Sequence, residues 1–451
     1  MKKLFQNRWF KFALVAIIYT LWFVVWSKNL WFLLGLPIIF DIYITKFLAR
    51  LVRWDKHLER KKNNKTYREV WSWLDAIVFA LVFATLINNY IFQMYTIPTS
   101  SMEKTLLVGD YLCVSKAKYG PRMPQTPLAL PLMHHTTPWG TKSYSEAVTR
   151  PYKRLAGVRG VERGDIVVFN FPAGDTVILE RQNETYYDIV RQFTSAYGEK
   201  RGRELMNRQY TVESRPVDRR EHYVKRCVAV AGDTLEVAGG VLRVNGRELE
   251  GVEHKQYIHQ VATSSPLSKT SIERLGVSPE DMYYSPSSGV YTMPLTQSAV
   301  ESLKTMANVL SVEKYENTET HSAIFPNSGL YDWTEDNFGP LWIPQKGATV
   351  ELTLENLPLY ERIIKNYEGN DLRVIDGVIY INGAPADHYT FAMDYYFMMG
   401  DNRHMSADSR FWGFVPEDHI VGTPLFVWLS IDQNKSFPAN IRWDRMFRSH
   451  K

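Results

Sequence analysis

Tyr223-Val224-Lys225-Arg226-Cys227-Val228-Ala229-Val230-Ala231-Gly232-Asp233 is the stretch whose reading decides how the body of this chain folds. Apolar residues dominate from Tyr223 to Ala231, and a Gly-Asp turn closes the run, the pattern of a strand. Alternation then places Lys225 on the face of Tyr223, Cys227 and Ala229, and Arg226 with Val224 and Val228. A lysine set among apolar neighbours loses hydration, which disfavours its charged form. That turns an amine into a usable base near neutral pH. Read alone, the pair fits more simply as snorkelling or ion-paired residues of an edge strand.

Working outward, Tyr111–Ser115, Asp165–Phe171, His222–Val230 and Thr234–Val237 read as further β-rich runs. Gly239–Gly246 and Asp376–Gly383 each end an apolar run in Asn-Gly, a hairpin signal. Helices are expected at Thr296–Leu310 and Leu357–Tyr367, so residues 250–375 read as an α+β insertion. Met123–Tyr152 and Ala173–Arg220 are polar or irregular and read as elaborations of the core. The body divides into 93–249 and 376–451 around that insertion.

Upstream, three apolar stretches occur at 10–26, 30–47 and 71–92. A helical span needs about 20 apolar residues, which Trp71–Phe92 meets best. Pro37 and Asp41 interrupt the second stretch. Residues 1–48 therefore read as two transmembrane segments and 49–70 as a basic loop. That loop carries Arg50, Arg53, Lys56, Arg60, Lys61, Lys62, Lys65 and Arg68, which assigns it to the cytoplasm. Three spans then put everything after Phe92 outside. No small-residue cleavage site follows the first apolar run, so it does not read as a cleavable signal.

The formal charge of +5 over 451 residues gives no footprint for nucleic acid. The histidines form no dense metal-ligand set, and no cofactor motif appears. Cys113 and Cys227 lack CxxC partners and read as two free buried thiols.

Two more segments carry possible chemistry. Ile97-Pro98-Thr99-Ser100-Ser101-Met102-Glu103-Lys104-Thr105-Leu106 begins just after the third stretch, and taken alone its hydroxyls read as a turn or helix cap. Ser101 lies nine positions past Phe92, a reach of at most ~30 Å. Gly400–Gly413 is dense in small and charged residues and reads as a structured loop with an Asp408–Arg410 pair.

Together these segments resemble the bacterial type I signal peptidases. The family's Ser-Met is matched by Ser101-Met102, its Gly-Asp by Gly109-Asp110, and its Arg-Gly-Asp-Ile-Val-Val-Phe strand by Arg163–Phe169. Its Tyr-x-Lys-Arg strand is matched by Tyr223–Arg226, and its Gly-Asp-Asn-Arg…Ser-x-Asp-Ser-Arg loop by Gly400–Arg410, all in the family's order. The resemblance covers about Trp71–Ser115, Gly160–Pro172, His222–Leu249 and Tyr396–Phe447. The chain departs at Lys104, where the family often has Pro, and at Met405, where it often has Asn or a similar residue. Related eukaryotic reticulum enzymes carry His at the lysine position, so Lys225 favours the bacterial type.

The resemblance implies a mainly β catalytic domain with an α+β insertion, preceded by transmembrane helices. It implies Ser101 as nucleophile, Lys225 as base, Ser406 as the hydroxyl that orients the lysine, and Thr99 as an oxyanion donor. Asp408, Arg410 and Arg226 would support the site. Ile97, Met102, Leu106, Tyr223 and Val224 would line the substrate pocket. Expected partners are preprotein signal peptides, membrane lipid and, functionally, the export translocon, with no nucleic acid and no cofactor. The expected location is the bacterial inner membrane, multi-pass, with the catalytic domain on the periplasmic side. The competing readings are a self-cleaving repressor-type Ser–Lys protease and a non-enzymatic membrane-tethered β-rich binding protein. The apolar spans argue against the first, and intact Ser101, Lys225 and Ser406 against the second.

Overall fold

A computed structural model describes residues 7–26, 30–51, 54–181, 184–252, 254–318 and 323–449. The chain forms two compact units. One contains Met1–Phe92 with Lys116–Arg159, the other Gln93–Ser115 with Gly160–Lys451.

The first unit is helical over its N-terminal part, up to Tyr90. Arg8–Val25 and Lys65–Tyr90 are both long and apolar enough to cross a membrane. Their apolar side chains are largely exposed, Phe79 at 70% among them, so no protein core explains their composition. The expected second span, 30–47, holds a shorter apolar helix. It runs only over Phe32–Thr45, because Lys46 turns left-handed at φ 51°. The Asp41 carboxylate then accepts from the backbone N–H groups of Phe47 at 2.6 Å and Leu48 at 3.0 Å, which caps the next short helix. The basic loop is itself helical over Trp54–Asn63 and folds back on Lys65–Tyr90. Lys61 pairs there with Asp75 at 2.7 Å, which gives the acid near the third apolar stretch a partner. The irregular stretch 123–152 lies within 116–159 and so groups with this unit, not with the β body.

The second unit is mostly sheet. Its largest sheet has seven strands, in the order Phe92–Thr96, Asp110–Ser115, Ile420–Ser430, Ile166–Asn170, His222–Ala229, Tyr395–Met399 and Val415–Pro416. The runs expected at Tyr111–Ser115, Asp165–Phe171 and His222–Val230 are thus neighbours or near-neighbours in one sheet. His222–Ala229 is flanked on both sides, with Lys225 opposite Val167 and Arg226 opposite Met399. Lys225 is therefore on an interior strand, and the edge-strand reading does not hold.

The two Asn-Gly signals sit in tight turns. Asn245 and Gly246 take φ 52° and 77°, and Asn382 and Gly383 take 52° and 82°. Positive φ at both central residues is what a two-residue hairpin turn demands.

Residues 250–375 divide between two neighbourhoods. Tyr257–Thr263, Tyr283–Ser285, Val290–Leu295 and Val309–Lys314 make their own four-stranded sheet. It has its own core, built on Val261, Met293, Leu295 and Leu303. Phe338–Trp342 instead pairs with Thr234–Ala238, and Leu357, Tyr360 and Ile363 join the main core beside Phe397. The helix expected over Thr296–Leu310 is the shorter Gln297–Lys304, and its last residues begin the strand Val309–Lys314. Cys113 and Cys227 are free and buried.

Candidate active site

Thr99 is extended, and Ser100–Met102 then form one tight turn. Met102 and Leu106 anchor it, both fully buried. The Met102 carbonyl accepts from the N–H groups of Thr105 at 3.1 Å and Leu106 at 2.7 Å. With its neighbours pinned, Ser101 points inward and is 6% exposed.

The interior strand delivers Lys225 to it. Lys225 Nζ lies 2.6 Å from Ser101 Oγ, although 124 residues separate them. The lysine is 3% exposed, and its ammonium sits 5.7 Å from the centre of the Tyr223 ring. Burial pushes the Lys225 amine down to about 8, against a partial upward pull from Asp408 and Asp401. Those two acids are neutralised elsewhere, which limits that pull. Burial raises Asp401, but Arg226 and the Thr105 hydroxyl outweigh it and hold the carboxyl below its usual range. Arg226 binds Asp401 through two bonds of 2.8 and 2.7 Å. Arg410 does the same to Asp408 at 2.9 and 2.8 Å and, with the Gly400 and Arg410 N–H groups, holds it low despite burial. Bidentate geometry makes both pairs strong and directional.

Thr99 Oγ1 stands 3.5 Å from Ser101 Oγ. Ser406 is buried, and its hydroxyl donates to the Ala407 carbonyl at 3.5 Å. Gly400 lets the Ser101 and Ser406 segments close on each other. A Cβ at 400 would come within 2.3 Å of Ser406 Oγ and 2.6 Å of the Ser101 carbonyl oxygen.

Of the expected pocket residues, Ile97, Met102 and Leu106 share one apolar cluster, with Val224 packed against it. Tyr223 is set apart on the lysine's face of the strand. It stacks on Phe171 with ring centres 4.5 Å apart and meets Trp412 at 5.5 Å. Beside Tyr223 and Ala407 a cleft of about 1040 Å³ opens, walled by Phe171, Trp412 and the helix Tyr186–Tyr197.

Three residues of these segments had no role in the sequence reading. Asn402 donates its backbone N–H to the Ser101 carbonyl at 3.1 Å and its amide to the Ser100 carbonyl at 3.3 Å. Glu103, beside the nucleophile turn, is buried, and burial pushes its carboxyl up to about 7. His404 accepts from the Ile258 N–H on Nδ1 at 3.1 Å, so Nε2 carries the proton and faces Asp336 at 2.9 Å. The contacts of Asn402 and His404 span far too many residues to leave a local pattern. Among the described residues no group of three or more His, Cys, Asp or Glu is placed to hold a metal.

Comparison with known proteins places the chain in a family. Residues 70–299 and 351–429 match the profile of the family "Signal peptidase, peptidase S26". Signal peptidase I of Buchnera aphidicola subsp. Acyrthosiphon pisum is 24% identical over 399 residues, covering 86% of this chain and 84% of the relative. The Haemophilus influenzae protein of the same name is 23% identical over 395 residues, covering 87% and 79%. That of Helicobacter pylori is 24% identical over 396 residues, covering 85% and 94%. With well over half its length matched, the chain belongs to the signal peptidase family, peptidase S26, in its bacterial type I branch, and is a peptidase.

Proposed function

We propose that the chain is a membrane-bound serine endopeptidase that removes N-terminal signal peptides from exported preproteins through a Ser101–Lys225 dyad. One observation carries the reading. A serine hydroxyl and a lysine amine meet at 2.6 Å where water is excluded, and the amine is held at about 8.

The chemistry follows from those positions. A serine hydroxyl attacks poorly until a base takes its proton. Neutral Lys225 accepts that proton as Ser101 Oγ bonds to the scissile carbonyl carbon. The Thr99 hydroxyl and the Ser101 N–H stabilise the oxyanion, an interaction worth ~100–1,000-fold in rate per donor. The C–N bond breaks as Lys225 returns the proton to the leaving amine. Water, deprotonated by Lys225, then releases the acyl group and restores the serine. Ser406, turned from Ala407 toward the amine, holds it without adding charge. Asp408, Arg410, Asp401 and Arg226 keep the surrounding loop rigid and electrically closed.

Ile97, Met102, Leu106 and Val224 supply the apolar surface for the small residues before the cut. The leaving segment departs past Lys225 into the cleft beside Tyr223 and Ala407. Arg8–Val25 and Lys65–Tyr90 hold the chain in the inner membrane, with basic Trp54–Asn63 on the cytoplasmic face and the β body outside. Ser101 lies nine positions past Phe92, a reach of at most ~30 Å, which keeps the nucleophile near the membrane where the apolar core of a signal peptide resides. Lipid and preprotein are the direct partners, and the export translocon supplies the substrate. Tyr257–Lys314 is the inserted subdomain.

The test is cleavage of a purified preprotein in detergent. Ser101→Ala and Lys225→Met should each abolish it with the protein still folded and inserted. Retained cleavage in either variant refutes the dyad.

A further inference from the structure

Lys104 stands where the family often has proline, and its backbone is left-handed at φ 70°. Its side chain reaches 171 residues along the chain. Nζ donates to the carbonyls of Leu275 at 2.7 Å and Gly276 at 2.6 Å. These are terminal carbonyls of the helix Lys269–Leu275, which ends on left-handed Gly276 at φ 60°. Helix ends leave such carbonyls without partners, and a cation there is favourable.

The sheet that shares a core with that helix also connects to the nucleophile turn through the loop at 401–403. Gln256, just ahead of the strand Tyr257–Thr263, donates its N–H to the Asp401 carbonyl at 2.9 Å and accepts from the Arg403 N–H at 2.9 Å. Asn402, between them, holds the Ser101 and Ser100 carbonyls. These hydrogen bonds, joined through the 401–403 backbone and through the core that packs Leu275 against Val261 and Met293, close a circuit. It runs from the Ser100–Met102 turn through Asn402 and Gln256 into the second sheet, along to Leu275 and Gly276, and back through Lys104.

We infer that the subdomain Tyr257–Lys314 is a positioning device for the nucleophile, with Lys104 as its side-chain link. This rests on Ser101 being the nucleophile. Lys104 touches neither Ser101 Oγ nor the reacting carbonyl. It acts by fixing the turn that aims the hydroxyl, and a misplacement of about 1 Å costs on the order of 100-fold in rate.

The experiment is a double-mutant cycle on the full-length protein, measuring kcat and KM for a preprotein. Lys104→Met removes the link from the serine side. Gly276→Ala removes it from the subdomain side, because its Cβ would sit 2.6 Å from the Lys104 amine. Gly276→Asn tolerates left-handed backbone better and keeps the test alive if the alanine variant misfolds. Each single variant should lower kcat by about 10–100-fold with KM within about twofold. The double variant should be no worse than the poorer single, since both break one connection. Lys104→Arg should recover at least about tenfold of the kcat lost in Lys104→Met. The pH inflection of kcat/KM should stay where Lys225 sets it. Additive losses, unchanged kcat or no arginine rescue overturn the inference. If Ser101→Ala is inactive and Lys104→Met is not, only this inference fails. If Ser101→Ala remains active, the nucleophile assignment itself fails.

Discussion

Replacing Lys225 with methionine should abolish activity and at the same time stabilise the fold, by an amount that depends on pH in a defined way. The Lys225 amine titrates at about 8 in the folded chain, against an ordinary value of 10.5. At ~1.4 kcal/mol per tenfold, keeping that amine charged and buried costs ~3 kcal/mol. Below pH 8 both the folded and the unfolded chain carry the proton, so the whole penalty is present. Between 8 and 10.5 the unfolded chain binds more protons than the folded one, so wild-type stability rises with pH. Methionine of similar reach has no charge to desolvate. Its advantage should therefore be about 3 kcal/mol at pH 6–7, shrink through pH 8–10 and vanish above 10.5, less ~1 kcal/mol for the hydrogen bond lost to Ser101. Denaturant unfolding of both proteins in the same detergent across this range reads the difference directly, because all other titrations cancel. A gain that does not change with pH, or a loss at every pH, refutes the placement of a desolvated amine at this site. The same amine sets the rate profile. Roughly a tenth of the molecules hold neutral lysine at pH 7, against ~0.03% for an unperturbed one, so kcat/KM should rise to a plateau above about pH 8.

Gly400→Ala should depress kcat by about 100-fold or more, because its Cβ would drive apart Ser406 and the Ser101 carbonyl; wild-type kinetics would show that the two segments need not touch. Arg226→Met strands Asp401 as a buried unpaired carboxylate and should destabilise by about 3–5 kcal/mol, read as a lowered unfolding midpoint. Burial raises Glu103 to about 7 from 4.5, so the folded chain binds the extra proton between those values and stability falls as pH rises through them. Glu103→Gln should therefore stabilise by up to ~3 kcal/mol above pH 7 and not at all near pH 4, a contrast that denaturation at the two pH values measures.

The strands were legible because alternation is local. Lys225 shares a face with Tyr223, as period two demands, and the Asn-Gly turns announced themselves. That Lys225 is interior was not legible, because pairing on both sides of His222–Ala229 is decided by strands Ile166–Asn170 and Tyr395–Met399, far off in sequence. Residues 250–375 read as one block for the same reason. Nothing in Phe338–Trp342 says that it pairs with Thr234–Ala238 instead of joining Tyr257–Thr263. The early end of the second apolar helix was not visible in Pro37 or Asp41, which lie inside it; the Asp41 cap on Phe47 and Leu48 depends on a turn at Lys46 with no glycine to mark it. At the site, Ser101 and Lys225 were joined only by resemblance. The groups that Asn402, Gln256 and Lys104 hold are backbone groups, which impose no residue type at the receiving end.

Lys104 also limits what position 104 can accept. Proline holds φ near −65° and cannot adopt the 70° this turn requires. A proline at 104 would have to rebuild the nucleophile turn and abandon the carbonyls of Leu275 and Gly276 in one step. Position 104 and the end of the helix Lys269–Leu275 are thus structurally coupled. A chimera that grafts this subdomain onto a relative with proline at that position would carry the ornament without its fastening.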